Sequence, residues 1–216
     1  MRKVFLLVVL CMSIISVFAQ ESVELKNAGN EALRTKDYAK ALESFEKAIT
    51  VWGDQPTDFA MIYNAGVCAY QLKSFDKAIT FFDQAIAGGY KAETAYQYKA
   101  FTYKAQNNTE AYLSTLNEGI AKVADNTKLK DALAKYYVTE GTKQYNEAAT
   151  ILKAAADKVT AGKFKTTDDA YKAETAKAKK EFGSAIELVN KALEINAADE
   201  TAKKIKAACE QSMKAL

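Results

Sequence analysis

The 216 residues of this chain include no histidine, the side chain that acts most often in acid–base catalysis. The absence excludes Ser-His-Asp and Cys-His nucleophilic sites and every metal site with a histidine ligand. Two carboxylate pairs remain, Asp168 with Asp169 and Glu43 with Glu46. A carboxylate pair catalyses only where burial or neighbouring charge separates its two pKa values. We interpret both pairs as helix-start or solvent-facing residues and predict no catalytic residue, no cofactor and no metal site.

Other motifs with known chemistry are incomplete or are explained by local structure. Gly88-Gly89 lacks the Gly-Lys-Ser/Thr that a phosphate-binding loop requires, and we predict that it ends a helix. Asn107-Asn108-Thr109 fits the pattern of an N-glycosylation acceptor, but polar residues are also expected in a turn at this position. Cys68 and Cys209 are too few and too distant to form a disulfide framework, so we predict buried thiols.

The first nineteen residues have the composition of an export signal. Met1-Arg2-Lys3 is positively charged, the stretch 4–18 is almost wholly apolar, and Val17-Phe18-Ala19 resembles a cleavage site. The alternative is a retained membrane anchor, but the apolar run is shorter than the roughly 20 residues that span a bilayer. We predict a signal peptide over residues 1–19 and an exported bacterial protein, periplasmic or associated with the outer surface, without a transmembrane segment after cleavage.

The remaining composition bounds the fold class and the partners. Without Arg2 and Lys3, 28 basic residues stand against 27 acidic ones, so we predict neither nucleic acid nor an anionic membrane surface as a partner. Nine glycines and one proline are few for a many-stranded protein, whereas 49% hydrophobic residues can supply a core. The composition therefore favours an all-α fold.

Aromatic and small residues recur along the chain with helical spacing. Three segments, 38–49, 75–86 and 182–193, share the order of one large apolar residue, an alanine three positions later, a second large apolar residue and another alanine. Their members are Tyr38, Ala41, Phe45 and Ala48; Phe75, Ala78, Phe82 and Ala85; and Phe182, Ala185, Val189 and Ala192. Another segment of helical length precedes each of them, so the repeating unit is a pair of helices.

This pattern resembles the tetratricopeptide repeat, a helix–turn–helix unit of about 34 residues with small residues at its eighth, twentieth and twenty-seventh positions. Gly29 and Gly66 fill the eighth position of the first and second repeats. The resemblance implies an all-α, right-handed α-solenoid of about five repeats with a C-terminal capping helix. The repeats are predicted at 22–55, 59–92, 93–126 (degenerate), 127–165 (degenerate) and 166–199, and the cap at 200–216.

Three places depart from the repeat pattern. Ala41 and Ala78 are 37 positions apart, so the turn from Trp52 to Asp58 holds three residues more than the repeat requires. Tyr112 stands in the third repeat where a small residue is expected. The fourth repeat is predicted to contain a longer turn between its two helices, at 141–144.

The resemblance also implies a non-enzymatic module that binds a peptide or a partner protein, because the first helices of such repeats line a concave groove. The aromatic residues that the groove would contain could equally fill gaps between repeats. The candidate groove residues are Lys26, Asn30, Arg34, Tyr63, Asn64, Val67, Tyr70, Gln97, Tyr98, Phe101 and Lys104.

A subgroup of this family binds the C-terminal carboxylate of a peptide with lysine, arginine and asparagine side chains. Lys26, Asn30 and Asn64 match three of the five positions of that site, whereas Thr94 and Tyr98 stand where the pattern has cations. The resemblance therefore implies only half of a carboxylate site.

The alternative function is that of a small-ligand or glycan-binding protein of the cell envelope. Exposed faces of Tyr63 and Tyr98 could stack on sugar rings as well as on peptides. A glycan site would require a closed pocket with several convergent polar groups, whereas an open groove favours peptides or partner helices.

Overall fold

The secondary structure is helical throughout the part of the chain that the computed structural model describes, residues 20–216. No strand occurs in that part, so the predicted all-α class is confirmed, and none of its helices is long and apolar enough to cross a membrane. The predicted signal peptide at 1–19 lies outside the described residues. The helices are α1 (20–34), α2 (Tyr38–Thr50), α3 (Phe59–Gln71), α4 (Phe75–Ala87), α5 (Ala92–Ala105), α6 (Thr109–Lys122), α7 (Thr127–Thr160), α8 (Asp169–Ile195) and α9 (Glu200–Lys214).

The turns inside the first three helix pairs have the same construction. Lys36, Lys73 and Asn107 adopt left-handed backbone conformations, with φ of 61°, 58° and 58°. One residue later, the side chains of Asp37 and Asn108 cap α2 and α6 by accepting hydrogen bonds from backbone amides. The same backbone geometry at successive repeats identifies α1/α2, α3/α4 and α5/α6 as copies of one structural unit.

Two compact units divide the chain, Met1–Leu129 and Lys130–Leu216. In the first unit a glycine of one helix faces an aromatic ring of the next. A Cβ added to Gly29 would lie 2.6 Å from the ring of Phe45, and one added to Gly66 would lie 2.9 Å from the ring of Phe82. Both rings are fully buried. The glycines are therefore required for close approach of the helices, and the predicted repeat register is confirmed at these positions.

Consecutive helices of the first unit stack on one another from α2 to α6, and α3 also contacts α5. Ion pairs link neighbouring elements at the surface. Glu46 and Lys77 join α2 to α4, and Asp83 and Lys99 join α4 to α5, each with 2.6 Å between nitrogen and oxygen. Within this unit the helices are therefore arranged as in an α-solenoid.

The second unit corrects the predicted architecture of the fourth repeat. α7 is one helix from Thr127 to Thr160, so the predicted turn at 141–144 is wrong. The reason lies at Gly141, where a Cβ would lie 2.7 Å from Cγ1 of Val189 on α8. This glycine permits close packing of α8 on α7 and does not break the helix.

The fifth repeat is also one helix instead of the predicted pair. α8 runs from Asp169 to Ile195, because the stretch 170–182 is dominated by the good helix formers Lys, Ala and Glu and contains no proline. α7 and α8 pack against each other, with the rings of Tyr145 and Phe182 5.8 Å apart. The segments that were predicted as repeats four and five therefore form a single, elongated fourth pair.

The predicted capping helix is confirmed as α9. Ala202, Ile205 and Cys209 face α8 and are buried, whereas the opposite face carries Lys203, Lys204 and other exposed polar residues. Such a polar outer face closes a stack of repeats toward solvent.

Candidate functional site

The first helices of the three regular pairs, α1, α3 and α5, come together through side chains of the predicted groove. Asn64 Nδ2 donates to Asn30 Oδ1 at 3.5 Å, and the two residues are 34 positions apart. Between α3 and α5, the ring centroids of Tyr70 and Tyr98 lie 5.6 Å apart. The structure therefore places these residues on one surface, which we call the α1–α3–α5 face.

The aromatic residues of this face form a cluster with rings from the core. Tyr63 has its centroid 5.9 Å from that of Phe82, 5.8 Å from that of Tyr90 and 6.3 Å from that of Tyr98. Its exposed fraction is only 7%, and burial, with the neighbouring Tyr98 and Tyr90, raises the pKa of its phenol to about 12. Tyr63 is therefore a core residue.

Tyr98 is half-buried and lies between the core and the surface. One face of its ring stacks on Phe82, with centroids 5.5 Å apart and an interplanar angle of 16°. Val67 and Tyr70 also pack against the same core while remaining partly exposed. The groove residues with apolar side chains thus contribute to packing, and only part of each surface is open to a ligand.

Lys26 is engaged in a structural contact. Its ammonium lies 2.5 Å from Oδ2 of Asp58 and 5.8 Å from the centroid of the Trp52 ring. Asp58 is the N-cap of α3, and its Oδ1 accepts a hydrogen bond from the backbone N–H of Met61. Burial alone would raise the pKa of Asp58, but the hydrogen bonds from Lys26 and from the Met61 and Ala60 amides, with the Lys26 charge, outweigh it and lower that pKa.

The other charged groove candidates are exposed and paired within their own repeats. Arg34 forms a salt bridge of 2.7 Å with Glu31 on the same helix. Lys104 lies over the ring of Tyr112 on α6, with its ammonium 5.5 Å from the ring centroid. Both cations therefore have partners within their own repeats, and Gln97 and Phe101 are half-buried on α5.

One residue near this face was missed by the sequence analysis. Lys128, at the start of α7, places its ammonium 3.4 Å from Oγ1 of Thr94 and 3.5 Å from Oε2 of Glu93. Its backbone N–H donates to Oε1 of Glu93 at 2.6 Å. A cation therefore lies beside Thr94 although that position lacks one, and the spacing of 34 residues between Thr94 and Lys128 is the signal that could have found it.

The chemistry of the remaining polar groups is limited. Cys68 and Cys209 are buried and free, which confirms the prediction of buried thiols, and burial raises the pKa of each to about 11. Over residues 20–216, no group of three or more His, Cys, Asp and Glu side chains is arranged to hold a metal ion.

Comparison with known proteins gives the family of the first two repeats. The family model described as tetratricopeptide repeat matches residues 26–93. Residues 26–93 are therefore similar to tetratricopeptide repeats. Repeats of this family are protein-interaction scaffolds and are typically non-enzymatic, and solenoids of this kind present extended binding surfaces. The matched segment includes Asn30, Asn64 and the glycine–aromatic contacts of both repeats.

The chain is also similar to a Protein STIP1 homolog of Dictyostelium discoideum. The two sequences are 31% identical over 133 residues, which cover 58% of this chain and 22% of the relative. The chain thus matches only a small part of that protein's length.

Similar solved structures include two from bacteria. A TPR repeats protein from Bacteroides fragilis NCTC 9343 is 26% identical, with a TM-score of 0.53 and coverage of 88% of this chain and 98% of the other. A tetratricopeptide repeat protein from Parabacteroides merdae ATCC 43184 is 16% identical, with a TM-score of 0.50 and coverage of 90% and 74%, respectively. The second likeness concerns the fold alone.

Proposed function

We propose that the protein is a non-enzymatic scaffold that binds an extended or helical segment of a partner protein on the α1–α3–α5 face. The observation that carries this proposal is the Asn30–Asn64 contact, which brings together two amide groups on α1 and α3, the first helices of adjacent repeats. Amide side chains can satisfy the backbone donors and acceptors of a bound segment.

Apolar contacts would come from the neighbouring helix α5. Tyr98 and Phe101 are half-buried there, so each offers part of an aromatic surface that is already held in place by packing. Aromatic anchors of this kind bury a large area at low cost in side-chain entropy. The combination of amides and fixed aromatic edges suits a peptide better than a charged ligand.

Capture of a C-terminal carboxylate has less support. Lys26 is bound to Asp58, and Lys128 is bound to Glu93, so both nearby ammonium groups already have carboxylate partners. A ligand carboxylate would have to displace one of them. We therefore assign the face to internal segments of a partner.

Glycan binding has less support for a similar reason. The ring of Tyr63 is buried, and one face of the Tyr98 ring is covered by Phe82. Stacking on a sugar requires a free aromatic face, and Tyr63, one of the two tyrosines on which that alternative depended, offers none.

We place this function outside the cytoplasm of a bacterium, in the periplasm or at the outer surface. The support is the sequence of residues 1–19, with its basic start, apolar run and small residue at position 19. Fractionation of cells that express the chain, with N-terminal sequencing of the recovered protein, tests this: an exported protein that begins at Gln20 is expected, and an uncleaved protein in the cytoplasm contradicts it.

Site-specific photocrosslinking in the native cell tests the binding face. A photoreactive amino acid at Asn30 or Gln97 should crosslink a partner protein, whereas the same group at Lys47, which is exposed on α2, should not. Crosslinking of the partner from Lys47 but from neither position of the face would contradict the proposal.

A further inference from the structure

Gln20 would carry two groups that react with each other if the chain were cut after Ala19. It is the first residue of α1, and its side chain is exposed. Its Nε2 donates to Oε1 of Glu24, one helical turn further along, at 3.0 Å. Both side chains of this hydrogen bond lie at the surface. Cleavage would therefore add a free α-amine to a residue whose side-chain amide is already accessible.

The backbone at Gln20 tolerates a ring that includes its nitrogen. The first N–H groups of an α-helix have no acceptor within the helix, so a change at this nitrogen breaks no hydrogen bond of α1. A ring that joins the side chain to the backbone nitrogen restricts the backbone as proline does, and proline is tolerated in the first turn of a helix. A lactam at Gln20 is therefore compatible with α1.

The contacts that hold α1 in place begin two residues after Gln20. Ser22 is fully buried, and its Oγ accepts a hydrogen bond from Nε2 of Gln55 at 3.0 Å. Lys26 follows with its salt bridge to Asp58. Because Gln20 precedes these contacts, a reaction between its own amine and amide leaves them intact.

We propose that Gln20 cyclises to pyroglutamate after the signal peptide is removed, which gives the mature protein a blocked N-terminus. The inference rests on the export and the cleavage proposed above. The α-amine nitrogen attacks Cδ of the side-chain amide and closes a five-membered lactam. The bond between Cδ and Nε2 breaks, and Nε2 leaves as ammonia with a proton that the amine gives up. No oxidant, reductant or cofactor takes part.

The reaction requires a neutral amine and an amide that reaches it. The pKa of an α-amino group is about 8, so part of the population is neutral near pH 7. The residue four positions on lies toward the C-terminal end of the helix, so the hydrogen bond to Glu24 must break before Cδ of Gln20 reaches the amine. Hydrogen bonds between exposed side chains exchange readily with water, so this contact is a small obstacle.

A blocked N-terminus would protect the contacts at the start of α1. Proteolysis concentrates at chain termini, and aminopeptidases act on a free α-amine. Removal of three residues from an N-terminus at Gln20 would take away Ser22 and its hydrogen bond with Gln55. The lactam closes that route without a change in any buried residue.

Mass spectrometry of the exported protein tests the proposal. The full chain is produced in a bacterium, recovered from outside the cytoplasm and cut with trypsin, which should release residues 20–26 as one peptide. We expect most of this peptide to be lighter than the unmodified sequence by one ammonia. A synthetic peptide of the same sequence, carried through the same handling, should keep its amine. Equal loss of ammonia from the synthetic peptide would assign the reaction to handling and overturn the proposal.

A variant and the position of cleavage separate the ways in which the proposal could fail. Gln20→Ser lacks the side-chain amide, so its N-terminal peptide should lose no ammonia. Loss of ammonia in this variant as well would assign the reaction to another residue. A peptide that begins at Gln20 and has its full mass overturns the cyclisation while the proposed cleavage stands. An uncleaved chain, or cleavage at another position, overturns both.

Discussion

The ammonium of Lys26 and the carboxylate of Asp58 lie 2.5 Å apart and join α1 to the first turn of α3. The exposed fractions of the two side chains are 32% and 16%, so solvent screens the pair only in part. Because Asp58 is also the N-cap of α3, one carboxylate both starts a helix and binds the preceding repeat.

The first prediction concerns the pH dependence of this contact. The folded-state pKa of Asp58 is lowered below its unfolded value of about 4, so its contribution to stability is present above that value and is lost as the pH falls through the folded-state pKa. Asp58→Asn keeps a good N-cap residue and removes the charge. We expect Asp58→Asn to lower the free energy of unfolding by about 1 kcal/mol at pH 7. The difference in unfolding free energy between variant and wild type should shrink toward pH 3.

Thermal unfolding of both proteins between pH 7 and pH 3 measures this difference. The control is Asp37→Asn, since Asp37 caps α2 through the Lys40 amide and forms no salt bridge among the described residues. A difference between wild type and Asp58→Asn that stayed constant down to pH 3 would show that the charge of Asp58 does not stabilise the fold.

Two helical glycines should respond to alanine substitution with opposite changes in the free energy of unfolding. A Cβ at Gly29 would lie 2.6 Å from Phe45, whereas a Cβ at Gly183 would meet nothing within 4 Å. We expect Gly29→Ala to lower the free energy of unfolding by about 1–3 kcal/mol and Gly183→Ala to raise it by about 0.5–1 kcal/mol. Urea unfolding of the two variants measures both, and stabilisation by Gly29→Ala would refute the packing of the first repeat.

A double-mutant cycle tests the contact between α7 and α8. Gly141→Ala should destabilise the protein because the new Cβ would lie 2.7 Å from Cγ1 of Val189. In a Val189→Ala background that atom is absent, and the next neighbours are at 3.4 Å or more, so the same substitution should become neutral or stabilising. Denaturant unfolding of the four proteins gives the coupling energy, expected at about 1–2 kcal/mol. Independent effects of the two substitutions would mean that α7 and α8 do not meet at these residues.

The repeat register of the first unit could be predicted because it depends on contacts at short and regular spacing. Gly29 with Phe45, and Gly66 with Phe82, are contacts within one repeat, so the spacing of small and aromatic residues contains them. The same reasoning failed at Gly141, where glycine was interpreted as a turn. Its role depends on Val189, 48 positions later, and local sequence does not distinguish a helix break from a close approach of two helices.

The sequence predicted which helix faces carry the candidate site, but it did not predict which of the site's residues are buried or lie beside a cation. Asn30 and Asn64 meet because both lie on the inward-facing sides of first helices in adjacent repeats. The burial of Tyr63 depends in part on Tyr98, which comes from the following repeat, and the cation beside Thr94 comes from α7, 34 positions later. Contacts with residues outside a repeat leave no pattern in the sequence of the repeat itself.

The start of α7 gives a further prediction, because a tertiary contact caps it. Glu93 has a side chain that is 15% exposed and accepts a hydrogen bond from the Lys128 amide, whereas the Lys128 side chain is 56% exposed. Glu93→Ala should therefore lower the free energy of unfolding by about 1–2 kcal/mol. Lys128→Ala should lower it by less than about 0.5 kcal/mol, because this variant keeps the backbone donor and removes only an exposed ion pair. Chemical denaturation compares the two variants. A larger loss in Lys128→Ala would assign the stabilisation to the ion pair instead.

The last prediction concerns partner binding at the α1–α3–α5 face. Asn64→Ala removes an amide that is half-buried on α3 beside Asn30. We expect this variant to bind the photocrosslinked partner about tenfold or more weakly, because the ligand group that the amide satisfies is left without a hydrogen-bond partner. Asn117 provides the matched control: it is exposed on the second helix α6, where its Nδ2 donates to the carbonyl oxygen of Leu113 at 2.9 Å. Both variants should melt within a few degrees of wild type, so that lost folding is not mistaken for lost contact. If Asn117→Ala weakened binding more than Asn64→Ala, the partner would bind the second helices, and the α1–α3–α5 face would not be the binding surface.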